Sequence, residues 1–269
     1  MNFWFGNFAP QRVLLDLGVI QIYWYSFIIV IAISAAYYVA RRLYLRDHAN
    51  DRDFADVSFY LVLCGLVGAR LWHVFVFQWE YYAAHPSEIL QIWQGGIAIQ
   101  GAVIGGLLCL FVFSRIKKID LWYITNISVV GLALGQAIGR WGNYFNQELY
   151  GTPTELPWAV FIEPMYRVPG FEDFTHFHPA FIYESILSAF LFLLLWKNSH
   201  RRNDKGFLFA LYLMGYGVIR FIVDFIRIDP MPGILGLRSS QIISLLFISV
   251  AAVIMIKLKQ PQRSAQIEK

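Results

Sequence analysis

The sequence predicts an all-α integral membrane protein with seven transmembrane helices, an outside N-terminus, a cytoplasmic C-terminus and a small outer head segment. Three features carry that expectation. Of the 269 residues, 58% are hydrophobic and only 15% charged, and a soluble domain would dilute so apolar a chain. The apolar residues come in runs close to the ~20 that take a helix across a bilayer. The basic residues collect in alternate loops.

In chain order the runs fall at 18–40, 54–78, 96–114, 121–140, 179–196, 206–226 and 239–256, so that 1–269 reads as one polytopic membrane domain. Met1 to Leu17 holds a single basic residue, Arg12, and no short apolar stretch before a cleavage site, so the first run is expected to stay as a span. Between the runs, Arg41, Arg42, Arg46 and Arg52 follow the first, Arg115, Lys117 and Lys118 the third, and Lys197, Arg201, Arg202 and Lys205 the fifth. With Lys257, Lys259, Arg263 and Lys269 in the tail, these are 15 of the 22 basic residues, against Arg12, Arg167, Arg227 and Arg238 on the other side. The positive-inside rule then sets the orientation. The net charge of +4 records this topology and carries no nucleic-acid footprint.

Arg70, Arg140 and Arg220 lie inside apolar runs. An arginine in hydrocarbon costs at least ~2.5 kcal/mol, so three of them call for a bound anion or buried carboxylates. Threading places all three near the outer face, with Arg70 ~12 Å deep and Arg140 closing the fourth run. Snorkelling of the long side chains to the interface is the plainer alternative. Cys64 and Cys109 both lie within runs and have no metal-ligand spacing around them, so they read as core residues. No spacing suggests a metal or an organic cofactor. The outer segment 141–177 is broken by Pro153, Pro157, Pro164 and Pro169, which predicts an irregular or β-containing head.

The sharpest local signal is Gly139-Arg140-Trp141-Gly142-Asn143-Tyr144-Phe145-Asn146-Gln147-Glu148-Leu149-Tyr150-Gly151. An apolar run ends in arginine, whose planar fork suits phosphate oxygens. Amides, a carboxylate and glycines follow, and glycines let backbone N–H groups approach an anion. A polar helix end capped by Asn143, with Asn146 and Glu148 solvated, is the structural alternative.

This segment closely resembles the signature of the bacterial prolipoprotein diacylglyceryl transferases, G-R-x-G-N-F-x-N-x-E-x-x-G, with Tyr144 where Phe is usual. Further blocks resemble the family in order: Ile22-Tyr23-Trp24-Tyr25, Gly68-Ala69-Arg70, Gly95-Gly96-Ile97-Ala98-Ile99-Gln100-Gly101, His178-Pro179-Ala180-Phe181-Ile182-Tyr183-Glu184, and Tyr216 through Asp224. The resemblance implies transfer of diacylglyceryl from phosphatidylglycerol to the lipobox cysteine thiol of a prolipoprotein signal peptide. A thioether would form and glycerol 1-phosphate leave. It further implies a bacterial cytoplasmic (inner) membrane location among membrane lipids, with the site towards the outer face.

Carried over to this chain, the expected catalytic residues are Arg140, Arg220, Tyr25, Gln100, Asn143, Glu148, Tyr216 and Asp224. The expected substrate-binding residues are Arg140, Arg220, Arg70, Asn146, Gly151 and His178. Tyr216, Arg220 and Asp224 stand at i, i+4 and i+8, so that Asp224, where Glu is usual, can hold Arg220.

The principal departure is Gln100, where the family commonly has histidine; glutamine has no useful pKa and can only orient a partner. Ala102, Tyr23 and Ser26 are smaller departures. The thiol proton could leave to water or a carboxylate such as Glu148 once arginines acidify the thiol. His73 or His178 could substitute as base, or activity could be reduced or different. The rival classes are an anion or lipid-headgroup transporter, to which buried arginines also lend themselves, and a non-catalytic lipid-binding relative.

Overall fold

The computed structural model describes residues 3–18, 21–48, 50–234 and 236–259. Arg263 and Lys269, counted above for orientation, lie outside the described residues. Eight α-helices are seen among the described residues: α1 (Trp24–Tyr44), α2 (Asp51–Trp72), α3 (Trp79–Ala84), α4 (Ile99–Lys117), α5 (Leu121–Asn146), α6 (Ala180–Lys197), α7 (Phe207–Val223) and α8 (Ser239–Lys259). Three two-stranded antiparallel ribbons join β1 (Val13–Asp16) to β2 (Gln21–Tyr23), β3 (Val160–Phe161) to β4 (His176–Phe177), and β5 (Gly233–Ile234) to β6 (Leu237–Arg238).

Six of these helices are long and apolar enough to cross a bilayer, α2 being prolonged to Phe77 by a π turn, and α7 is shorter at 17 residues. The architecture is that of a helical, multi-pass membrane protein.

Two boundaries differ from expectation. The first span begins at Trp24 instead of residue 18, because Asp16 Oδ1 accepts from the N–H of Gly18 at 2.8 Å and Gly18 has φ +79°. That tight turn sends the chain back as β2. The fourth span does not close at Arg140 but runs to Asn146. Nothing in Gly139–Asn146 breaks a helix as proline would. It stops where Gln147 and Leu149 take left-handed conformations, φ +52° and +57°.

The chain divides into two compact units, 41–125 and the combination of 1–40 with 126–269. In the first, α2 and α4 touch backbone to backbone. A Cβ on Gly68 would overlap the Gly101 carbonyl oxygen, one on Gly101 the Gly68 carbonyl oxygen, and one on Gly105 the Cys64 carbonyl oxygen. This is the small-xxx-small packing that lets helices approach in lipid. Asn50 caps α2 by accepting from the Arg52 N–H at 3.1 Å, with Asp51 and Asp53 in the first turn complementing the helix dipole. Cys109 is buried and Cys64 half-buried, both as free thiols.

In the second unit, α1 and α5 pack through Gly131, on which a Cβ would overlap the Ala36 carbonyl oxygen. Ser185 of α6 donates to the Ala137 carbonyl of α5 at 2.6 Å. Asn126, fully buried on α5, donates to the carbonyls of Arg202 and Asp204 and accepts from the N–H of Phe209 at 3.0 Å. It thereby serves an N-terminal turn of α7 whose own cap residue, Gly206, offers no side chain. Of the head segment 141–177, residues 141–146 continue α5 and the rest is irregular with the β3–β4 ribbon. Tyr150, Val160, Ile162, Phe177 and Phe181 form its small core.

Candidate active site

One carboxylate organises the buried charge. Glu184, in the first half of α6 and 3% exposed, takes the Arg140 Nε on Oε2 and the Arg220 Nη1 on Oε1, each at 2.6 Å, with Arg227 Nη1 3.6 Å from Oε1. Three helices are needed to bring these groups together, α5 giving Arg140, α6 Glu184 and α7 Arg220. Arg227 follows α7 in the connecting loop.

A second layer restrains the first. Arg220 Nη2 lies 3.3 Å from Asp224 Oδ1, and Asp224 Oδ2 accepts from the Ser240 hydroxyl at 2.5 Å and faces Arg238 Nε at 3.3 Å. Arg227 Nε donates to Asp229 Oδ1 at 2.7 Å, and Arg238 donates to the carbonyls of Arg227 and Asp229. Burial pushes the Asp229 carboxyl up, but Arg227 first and Arg238 after it outweigh this and hold it below the ordinary carboxylate value. Among the described residues, four guanidiniums in this cluster face three carboxylates. The excess positive charge is buried, where an uncompensated charge is costly.

Arg140 differs from its neighbours in having only its Nε engaged. Its terminal nitrogens have no protein partner among the described residues, and its side chain is 20% exposed against 11% for Arg220 and 3% for Arg227. Within the next two turns, the Nδ2 groups of Asn143 and Asn146 both donate to Glu148 Oε1, at 2.9 and 3.1 Å. Gln147 holds this turn by donating to Glu163 Oε2 and accepting from the Glu163 N–H, both at 2.8 Å. The Tyr25 ring lies on Gly142, where a Cβ would come within 2.7 Å of it, and feels the charges of Glu148 and Arg140.

Comparison with known proteins identifies the family. The family model described as prolipoprotein diacylglyceryl transferase matches residues 12–257. This chain belongs to that family. Phosphatidylglycerol–prolipoprotein diacylglyceryl transferase of Trichormus variabilis is 40% identical over 244 residues, spanning 88% of this chain and 86% of the relative. Those of Fervidobacterium nodosum and Thermotoga maritima are 38% and 37% identical, spanning 92% and 90% of this chain and 85% and 83% of the relatives.

Of the residues expected from the family's motifs, Arg140, Arg220 and Asp224 meet in the charged cluster, Tyr216 lies one turn before Arg220, and Asn143, Asn146 and Glu148 form a separate group beside Tyr25. Gly151 is a packing residue, since a Cβ there would sit 2.8 Å from the Ile226 carbonyl oxygen and 3.0 Å from His178. Its N–H already donates to the His178 carbonyl at 2.8 Å. The His178 Nδ1 lies 3.2 Å from the Tyr183 hydroxyl, and burial lowers its pKa.

Arg70 belongs to the other compact unit. The residue is 6% exposed, and its guanidinium donates to the carbonyls of Glu88, Ile89, Gly95 and Gly96 at 2.6 to 2.8 Å. The left-handed Gly95 and Gly96, φ +90° and +72°, present those last two oxygens, and a Cβ on Gly96 would strike Arg70 and His73. Its charge is thus answered by peptide dipoles that tie the 86–98 loop to α2. Gln100 stands exposed in the first turn of α4.

Proposed function

We propose that this chain transfers the diacylglyceryl group of phosphatidylglycerol to the lipobox cysteine thiol of a prolipoprotein, forming a thioether and releasing glycerol 1-phosphate. The relatives are named for this lipid donor and this acceptor class. The observation that carries the reading to particular residues is the positive excess around Glu184, with the Arg140 fork left open. A phosphodiester supplies the missing negative charge and the planar pair of oxygens the fork accepts.

In the reaction, thiolate sulfur attacks an sp³ carbon of the donor's glycerol. The C–S bond forms as the C–O bond to phosphate breaks, and the electron pair leaves on the phosphate oxygen. Charge grows on that leaving group, so guanidiniums fixed before the reaction stabilise the transition state by several kcal/mol. Arg140 takes the phosphate; Arg220, hydrogen-bonded to Glu184 and 3.3 Å from Asp224, adds a second positive charge in fixed position. Glu148 receives the thiol proton. Its Oε2 has no protein partner among the described residues, and it is not paired with an arginine. Gln100 orients a partner by hydrogen bonding and takes no proton.

The chain crosses the bacterial cytoplasmic membrane seven times, with α7 as the sixth span and the head outside. At ~1.5 Å per residue the 17 residues of α7 measure ~26 Å, close to the thickness of a thin bilayer. The basic loops then lie in the cytoplasm. The test is direct. Purified protein is given phosphatidylglycerol labelled in its diacylglyceryl part and a lipobox peptide. Label on the peptide that survives hydroxylamine, as a thioether does and a thioester does not, supports the reading. Anion or headgroup flux across vesicles without peptide labelling would replace it with transport.

A further inference from the structure

The charged layer has a neutral polar layer directly beneath it that the transfer chemistry does not use. Gln136 precedes Arg140 by four residues on α5, and Tyr216 precedes Arg220 by four on α7, with Tyr212 a turn further back. Four residues are one turn, ~6 Å along the axis. The Arg140–Glu184–Arg220 bridge fixes the upper layer, and the Gln136 amide interacts with the Tyr212 hydroxyl in the lower one. The Tyr212 and Tyr216 rings stack parallel, 5.8 Å apart with 2° between planes.

Gln136 Oε1 is buried and has no hydrogen-bond partner among the described residues. At this level there is no bulk water to satisfy it, and a lone polar end in hydrocarbon is costly. The two ends of a glutamine amide exchange by rotation about its last bond. With Tyr212 donating to the oxygen, the NH₂ becomes the open end and seeks an acceptor. The acceptors lying a few bonds below a glycerophospholipid's phosphate are its ester carbonyls.

We propose that Gln136, oriented by Tyr212, hydrogen-bonds an ester carbonyl of the donor lipid and so sets the enzyme's preference for diacyl over dialkyl glycerophospholipid. This rests on the reading that the phosphate occupies the arginine layer. Gln136 touches the substrate; Tyr212 is a positioning residue.

The experiment compares transfer from diester phosphatidylglycerol with transfer from its diether analogue, which keeps the phosphate and the reacting carbon but lacks the carbonyls. One hydrogen bond predicts a diester preference in kcat/KM of about five- to tenfold for the wild type. Gln136→Leu should abolish that preference by lowering only the diester rate, and Tyr212→Phe should reduce it. Because the ratio is measured within each preparation, reduced yield of a variant does not affect it. A wild-type ratio near one, or a ratio retained in both variants, overturns the proposal while leaving the transferase reading intact. No transfer from either lipid by the wild type overturns the transferase reading and the proposal with it.

Discussion

At the scale of single residues, the account turns on Glu184 as the counter-ion that lets three guanidiniums sit together. Glu184→Ala should destabilise the protein by about 3–5 kcal/mol, the cost of stranding buried charge, and clearly more than Arg140→Ala, whose side chain is partly exposed with one partner. Thermal unfolding in detergent compares the two variants, and equal midpoints would contradict the counter-ion role. Glu184 stands within a sequence block that resembles the family and, like the arginines, inside an apolar run. The desolvation argument applied to acids would have singled it out. Arg227 and Arg238 were legible only as outer basic residues, since no periodicity announces that a loop after α7 folds back on a buried carboxylate. The pH dependence follows from His178 and Asp229. Burial lowers the folded-state pKa of His178, so its contribution to stability is complete above ~6.5 and is lost as pH falls through the lowered value. The depressed Asp229 contributes above 3.8 and loses that contribution as pH falls through its own lowered value. Midpoint against pH should therefore show two acid steps, and His178→Gln should remove only the upper one. The rate profile is separate: with no histidine base, activity should show no limb near pH 6.5 and should instead rise with thiolate formation towards ~8.5.

At the scale of elements, spans were readable from apolar runs, and their ends depended on contacts the runs do not encode. The first span starts late because Asp16 and Gly18 make a turn. The fourth runs on because Gly139 and Gly142 are helical, and Gly142 gives room to the Tyr25 ring. Glycine meant close approach here, and flexibility did not follow. The same holds between α2 and α4, where Gly68, Gly101 and Gly105 remove side chains that would collide with backbone oxygens. Gly101→Val should force these helices apart and abolish accumulation of folded protein, as read by a monodisperse peak in detergent size-exclusion chromatography. Gly106→Val, whose added Cβ would meet a Leu61 side-chain carbon at 3.4 Å, should be tolerated. A folded Gly101→Val variant would show that the backbone contact is dispensable.

At the scale of the whole molecule, the proposed orientation, with the head outside and the C-terminus in the cytoplasm, rests on the arrangement of basic loops. A cysteine introduced at Asp173, exposed in the head, should react with a membrane-impermeant maleimide in intact cells, and a C-terminal phosphatase fusion should be inactive. Labelling of the head only after permeabilisation would put the site on the wrong face for a secreted substrate. Composition and the apolar runs make the membrane class legible. The convergence of Arg140, Arg220 and Arg227 on one carboxylate is a tertiary fact, reached when three helices pack through small residues and hydroxyls. The central claim is that the open fork of Arg140 holds the donor's phosphate at this convergence, and kcat/KM for diacylglyceryl transfer in Arg140→Lys and Arg140→Ala measures it most directly. Lysine retains the charge, and only arginine offers two parallel N–H groups. The account predicts that alanine abolishes transfer and lysine loses most of it, and near-normal turnover in the alanine variant would contradict it.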